Sequence, residues 1–189
     1  VVKVTDAEGY ETTYTYDGNG NTTSMTTPDG TTAYEYDPLD RLVKTTNPDG
    51  TVESYEYDKL GNMTAMSDEN GNRSQYVLDG NGNIVETIDA LGTSAKFTYD
   101  KVGNLTKVDL HRIDSQDNVD EHEITLYSYD GRGLVTTVID GENNQISYQY
   151  DGNGNLVEQT DQDGYVTTYA YSPIDLVTNI NYNGVKEGH

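Results

Sequence analysis

The sequence predicts an all-β fold: tandem β-hairpin repeats forming one long, twisted, curved and mostly antiparallel sheet, with essentially no helix. Three observations predict it. An aromatic-x-aromatic-Asp unit recurs eight times along 189 residues. Gly and Asn concentrate between these units, where they mark turns. Within the units Tyr, Thr and Val alternate, as residues suited to a pleated surface do.

The units come first because periodicity decides the architecture. They read Tyr14-Thr15-Tyr16-Asp17, Tyr34-Glu35-Tyr36-Asp37, Tyr55-Glu56-Tyr57-Asp58 and Tyr76-Val77-Leu78-Asp79. They continue as Phe97-Thr98-Tyr99-Asp100, Tyr127-Ser128-Tyr129-Asp130, Tyr148-Gln149-Tyr150-Asp151 and Tyr169-Ala170-Tyr171-Ser172. Their last positions are 17, 37, 58, 79, 100, 130, 151 and 172, so the steps are 20, 21, 21, 21, 30, 21 and 21. Residues 1–189 are therefore expected to be a single array of about eight repeats.

Two glycine positions punctuate each repeat. Three residues after the Asp stands Gly20, Gly61, Gly82, Gly103, Gly133 or Gly154, with Asp40 and Asp175 in two copies. Seven residues before the second aromatic stands Gly50, Gly71, Gly92 or Gly164, with Asn143 in one copy. Gly, Asn and Asp are the residues that enter a left-handed backbone at least cost.

Residues 151–172 show how a repeat folds. Asp151 to Asn155 is a dense turn signal, Leu156 to Asp161 a short strand, Gln162-Asp163-Gly164 a second turn, and Tyr165 to Tyr171 a longer strand. Tyr165, Thr167, Tyr169 and Tyr171 share one face of it. Stacked hairpins should place equivalent Tyr residues beside one another on neighbouring strands, as aromatic ladders. Stability then comes from neighbour interfaces. The unpaired ends favour end-to-end self-association, which the charge of −22 moderates. The pattern is already running at Val1 and still running near His189, so we expect a segment of a longer array.

The 30-residue step carries an insertion at 110–123, Leu110 to Glu123, expected as a loop replacing the turn of that repeat.

Composition excludes several functions. The hydrophobic share is 33% with 17 Tyr, no Trp and one Phe, so burial must use tyrosine rings. Only 11 Lys and Arg stand against 33 Asp and Glu, which excludes nucleic-acid binding through phosphate neutralisation. No Cys is present, so there is no disulfide and no thiolate chemistry. No apolar run approaches the roughly 18 residues of a membrane span.

No catalytic set emerges: there is no Cys nucleophile, Gly-x-Ser-x-Gly elbow or phosphate loop. We expect no enzyme and no cofactor. Three Asp-Gly-Asn-Gly-Asn loops resemble the start of a calcium loop, with oxygens at Asp17, Asn19 and Asn21, at Asp79, Asn81 and Asn83, and at Asp151, Asn153 and Asn155. Pro28, Ala90 and Gln162 stand where such a loop needs its bidentate Glu, so self-capped turns are the preferred reading over cation sites. In the insertion, His111, His122, Asp117, Asp120, Glu121 and Glu123 match no metal-site spacing, and Glu121-His122-Glu123 reads as a solvated tip. Tyrosine ladders could stack on sugars, although rings packed on each other are the simpler reading.

The defining residues are Tyr34, Tyr36, Asp37, Tyr55, Tyr57, Asp58, Gly61, Tyr76, Asp79, Gly82, Phe97, Tyr99, Asp100, Gly103, Tyr127, Tyr129, Asp130, Gly133, Tyr148, Tyr150, Asp151, Gly154, Tyr169 and Tyr171. Together they resemble the Rhs/YD-repeat family from about Gly9 to Asn181. That resemblance implies a secreted or surface protein, such as a bacterial polymorphic toxin, a wall-associated protein or a teneurin, whose repeats spiral into a hollow β-shell. It implies further repeats in cis and an enclosed toxin or effector domain of the parent chain. The Asp-Pro-x-Gly-Leu region that many members use for self-cleavage is absent; Tyr171-Ser172-Pro173-Ile174-Asp175-Leu176 is a divergent repeat. The first functional expectation is a scaffold segment of such a shell. The alternative is a surface segment, in a bacterial cell-wall setting, that binds carbohydrate or protein.

Overall fold

The computed structural model describes residues 1–113 and 120–183. Asp117 of the insertion and His189 lie outside the described residues. The chain forms two compact units, Val1–Gly92 and Thr93–His189. Among the described residues there is no helix, and every strand pairing within a unit is antiparallel.

In the first unit β1 (Val2–Thr5), β2 (Glu11–Tyr16), β3 (Thr22–Thr27), β4 (Gly30–Tyr36), β5 (Leu42–Thr46), β6 (Val52–Tyr57), β7 (Met63–Ser67), β8 (Arg73–Leu78) and β9 (Ile84–Ile88) pair in chain order. In the second, β10 (Ser94–Tyr99), β11 (Leu105–Ile113), β12 (Asp120–Tyr129), β13 (Val135–Ile139), β14 (Gln145–Tyr150), β15 (Leu156–Thr160), β16 (Val166–Tyr171) and β17 (Val177–Asn183) do the same. Among the described residues neither ladder closes on itself into a barrel.

Each repeat supplies two strands, and only one of them carries the aromatic unit. This corrects the expected tyrosine ladders. The first aromatics Tyr34, Tyr55, Tyr76, Phe97, Tyr127, Tyr148 and Tyr169 face Thr45, Met66, Thr87, Val108, Val138, Gln159 and Ile180 across the ladder. Equivalent rings are separated by an intervening strand, about 9.5 Å in all, too far for ring contact. The cross-strand partners of these rings are therefore Met, Thr, Gln or aliphatic residues, not other rings.

Burial is shallow throughout. Ala65, Val166, Thr45 and Ser94 are the buried residues among those described, and no large side chain is fully buried. The ladders and half-buried cross-strand pairs hold each unit together.

The turns explain the step lengths. Thr27 pairs directly with Gly30, leaving Pro28-Asp29 as a two-residue turn, and this is the repeat with the step of 20. The 30-residue repeat lengthens its strands, one running to Ile113 and the next starting at Asp120. Leu110, His111, Arg112 and Ile113 pair with Glu123, His122, Glu121 and Asp120. The expected loop at 110–123 is thus corrected in part to strand, because continuing the ladder gives these amides and carbonyls partners that a loop would leave to water.

Candidate functional site

The repeated structural unit begins at the motif aspartate. Asp58 accepts the backbone N–H of Leu60 at 2.8 Å and of Asn62 at 2.9 Å on Oδ1, and the Asn62 carboxamide at 3.0 Å on Oδ2. The Gly61 N–H closes the turn onto the Asp58 carbonyl. Asp17, Asp79, Asp100 and Asp151 repeat the arrangement with Asn21, Asn83, Asn104 and Asn155. An Asp side chain that bonds backbone two residues on is an Asx turn. Here it also spans the loop to the fourth residue. The Asn62 carboxamide first, then the loop amides, hold the Asp58 carboxyl below its ordinary range.

The backbone conformation explains the glycines. Gly61 has φ +96°, open to Gly at no steric cost. Asp40 and Asp175 occupy the equivalent position at φ +60°, and Asn143 takes the mid-repeat glycine's place at φ +65°, so all three are left-handed residues that replace Gly.

Arginine replaces Asn in one copy. Arg41 Nε donates to Asp37 Oδ2 at 2.7 Å, and Nη1 donates to the Asp58 carbonyl at 2.8 Å. Its guanidinium lies 4.8 Å from the centre of the Tyr57 ring, within cation–π range. Arg132 likewise joins Asp130 to the Asp151 carbonyl. Each tethers one turn to the next.

Sequence reasoning missed that the mid-repeat turn has the same construction. Asp68 accepts the N–H groups of Asn70 and Asn72 and the Asn72 carboxamide. Asp140 does the same with Glu142 and Asn144, and Asp161 accepts from Asp163 and Tyr165. The signal was present: Asn47, Asp68, Asp89, Asp140 and Asp161 each stand three residues before Gly50, Gly71, Gly92, Asn143 and Gly164.

A second missed feature is a bulge at every aromatic unit. The register shifts at the second aromatic in all eight copies, for example between Glu56 and Tyr57 and between Gln149 and Tyr150. The extra residue on the partner strand is always Thr or Val: Thr23, Val43, Thr64, Val85, Thr106, Thr136, Val157 and Thr178. The second tyrosine also reaches across its own hairpin. The hydroxyls of Tyr36, Tyr57, Tyr129, Tyr150 and Tyr171 donate to the carbonyls of Thr22, Leu42, Leu105, Val135 and Leu156 at 2.7–3.0 Å. Each acceptor is the residue paired with the preceding repeat's second aromatic at its bulge. The tyrosine thus braces, across its own hairpin, the residue at which the ladder to the preceding repeat is interrupted. Burial pushes the hydroxyls of Tyr36, Tyr129 and Tyr150 above the ordinary tyrosine value. Leu78 stands at this position in the fourth unit and has no hydroxyl.

The candidate cation loops have the wrong polarity for a metal. Both Asp17 oxygens accept N–H groups, and the carboxamides of Asn19 and Asn21 donate to Asp40 Oδ1 at 2.7 Å. Asn153 and Asn155 do the same to Asp175. These loops surround a carboxylate with donors.

In the long hairpin, His111 and His122 face each other across the strands, with ring centres 4.6 Å apart and planes 10° from parallel. His122 Nδ1 lies 3.0 Å from Asp109 Oδ1, and Lys107 Nζ lies 2.9 Å from Asp109 Oδ2. His122 and Lys107 hold the Asp109 carboxyl below its ordinary range. The reading of 121–123 as a plain solvated tip is corrected for His122, which is stacked and hydrogen-bonded within strand. Strand pairing places the two rings directly opposite, a contact that the interval between positions 111 and 122 does not reveal.

A family model described as RHS Repeat matches residues 1–32, 17–52, 36–73, 79–110 and 150–184. Comparison with curated proteins gives no match. Among solved structures, the crystal structure of TcdB2-TccC3 is similar at 14% identity with a TM-score of 0.55, over 95% of this chain and 13% of that chain. A mutant of the Photorhabdus luminescens Tc holotoxin pore is similar at 14% identity and a TM-score of 0.55, over 90% of this chain and 11% of that one. At this identity the likeness shows a common fold, and the chain spans only a small part of those chains.

Proposed function

Because the chain belongs to the RHS-repeat family, we propose that it is a non-catalytic wall segment of a β-shell. The shell encloses a toxin or effector domain of the same polypeptide and continues into further repeats. The observation that carries this reading is the tyrosine latch at the junctions between consecutive repeats, set in a fold held in common with TcdB2-TccC3 over 95% of the chain. A wall needs stiffness without a deep core, and repeated turns with tyrosine latches supply it. Secretion, or display at a cell surface, belongs to the same proposal.

The test is limited proteolysis of the natural polypeptide that carries these repeats. The domain beyond the array should resist digestion while the array is folded, and become sensitive when urea unfolds the array. Digestion of that domain at the rate of the isolated domain, with the array still folded, would refute enclosure. If an array of surface glycans or proteins then gave a specific signal, the chain would be an adhesion segment.

A further inference from the structure

Four of the chain's five Asn-Gly pairs lie at tips of one recurring turn, each with its Asn exposed: Asn19-Gly20, Asn70-Gly71, Asn81-Gly82 and Asn153-Gly154. Each Asn follows the turn's Asp by two residues and donates its N–H to that carboxylate at 2.8–2.9 Å. Each Gly donates its N–H to the same Asp's carbonyl, at 2.9–3.3 Å. The four sites therefore share backbone geometry, and Asn19-Gly20, Asn70-Gly71 and Asn81-Gly82 are exposed at both residues while Gly154 is half-buried.

They differ in what holds the asparagine side chain. Asn19 Nδ2 donates to Asp40 Oδ1 at 2.7 Å, and Asn153 Nδ2 donates to Asp175 Oδ1 at 3.2 Å. Among the described residues the carboxamides of Asn70 and Asn81 have no such partner. Asp40 and Asp175 each stand in the place of the glycine that follows the motif Asp by three residues, so the same substitution also tethers the neighbouring asparagine.

We infer that Asn70 and Asn81 are sites of spontaneous covalent modification, and that Asp40 and Asp175 protect Asn19 and Asn153 from it. The Gly nitrogen gives its proton to solvent base and attacks the Asn side-chain carbonyl carbon. The bond from that carbon to the amide nitrogen breaks, and ammonia leaves. Water then opens the cyclic imide at either carbonyl, giving aspartate or isoaspartate. One water is consumed and one ammonia released, with no change of oxidation state. Gly suits this chemistry because no side chain shields its nitrogen. A tethered carboxamide must first break a hydrogen bond to a carboxylate before it can turn toward that nitrogen. The product adds a negative charge at the tip. As isoaspartate it also lengthens the backbone inside a turn whose amides are all placed by one aspartate.

The intact chain should be incubated in mildly alkaline buffer and its peptides mapped by mass spectrometry, with isoaspartate distinguished by electron-transfer fragmentation. Asn70 and Asn81 should convert about tenfold faster than Asn19, the effect of one charge-assisted hydrogen bond. The four rates should converge in urea. Asp40→Gly keeps the backbone conformation and removes the carboxylate, so Asn19 should join the fast pair. Equal rates in the folded protein, or unmodified Asn70 and Asn81, would overturn the inference. So would an Asn19 that stays slow in a folded Asp40→Gly chain. If that variant does not fold, the wild-type comparison between folded and urea-treated protein decides alone.

Discussion

The tyrosine latch can be broken by one atom. In Tyr150→Phe the ring stays and the donor to the Val135 carbonyl, now 2.9 Å away, is lost. The pair is partly buried, and the acceptor sits beside the bulge where Tyr129 meets Val135. A neutral hydrogen bond contributes about 0.5–1.5 kcal/mol net. Water can reach a half-buried carbonyl, so the expected loss is about 1 kcal/mol, or about fivefold in the unfolding constant. Urea denaturation should show a lower midpoint at unchanged slope. Amide exchange should quicken in β13 and β14 before it does elsewhere, because opening is local in a repeat array. The converse variant is Leu78→Tyr. Met63 pairs with Tyr57 at its bulge, as Val135 pairs with Tyr129, and a hydroxyl at position 78 would reach the Met63 carbonyl. It should gain up to about 1 kcal/mol. If Tyr150→Phe costs nothing measurable and Leu78→Tyr gains nothing, the latch is geometry without energy, and the coupling between repeats lies in the ladders alone.

Three further expectations follow from the turns. Asp17, Asp58, Asp68, Asp79, Asp140 and Asp151 are held low by their Asn partners and loop amides. Their ionised forms therefore stabilise the fold fully above the unfolded value of about 3.9, and that contribution drains as pH falls below it through the folded values. Circular dichroism should show turns loosening only in that acid range, and Asp58→Asn should lower the melting temperature at neutral pH but not at the acid end; an equal deficit at both would deny the carboxylate its role. Gly61→Ala meets nothing within 4 Å and should cost about 1–2 kcal/mol from φ alone, whereas Gly30→Ala would set a Cβ 2.5 Å from Pro48 Cβ and should cost more in the same urea assay; equal losses would mean Pro48 yields freely. Millimolar calcium should leave the melting temperature unchanged because both Asp17 oxygens already accept N–H groups, and a rise that scales with calcium would show these loops reopening around a cation.

The hairpin architecture was legible because its signals are local. Gly61, Asn62 and Asp58 are neighbours in sequence and partners in the turn, so their spacing alone specifies the loop. Asp40 and Asp175 could be read as left-handed for the same reason. What the sequence concealed is relational. Tyr57 and the Leu42 carbonyl are fifteen residues apart, and backbone acceptors have no letter in a sequence. The bulge residue did have one, a Thr or Val three positions after each Gly or Asp. It looked like ordinary strand, since β-branched residues suit strands anywhere. The tyrosine ladders were misread because a period of 21 residues holds two strands, which puts equivalent rings out of contact.

These assignments constrain where a binding specificity can be encoded. The motif Asp is enclosed by its own turn, the Gly by its φ, and the second Tyr of most repeats by a carbonyl across its own hairpin. None can change without loosening the array, so none is available to distinguish one partner from another. The residues opposite the first aromatics, Thr45, Met66, Thr87, Val108, Val138, Gln159 and Ile180, vary along the array among five residue types while the ladder around them does not. If the sheet meets a cargo or a surface ligand, recognition must lie in such variable positions. The long β11–β12 hairpin, with His111 stacked on His122, adds a feature the other hairpins lack. Exchanging Gln159 or Ile180 should therefore alter what is bound while leaving the urea midpoint nearly untouched, the reverse of the outcome for Tyr150→Phe.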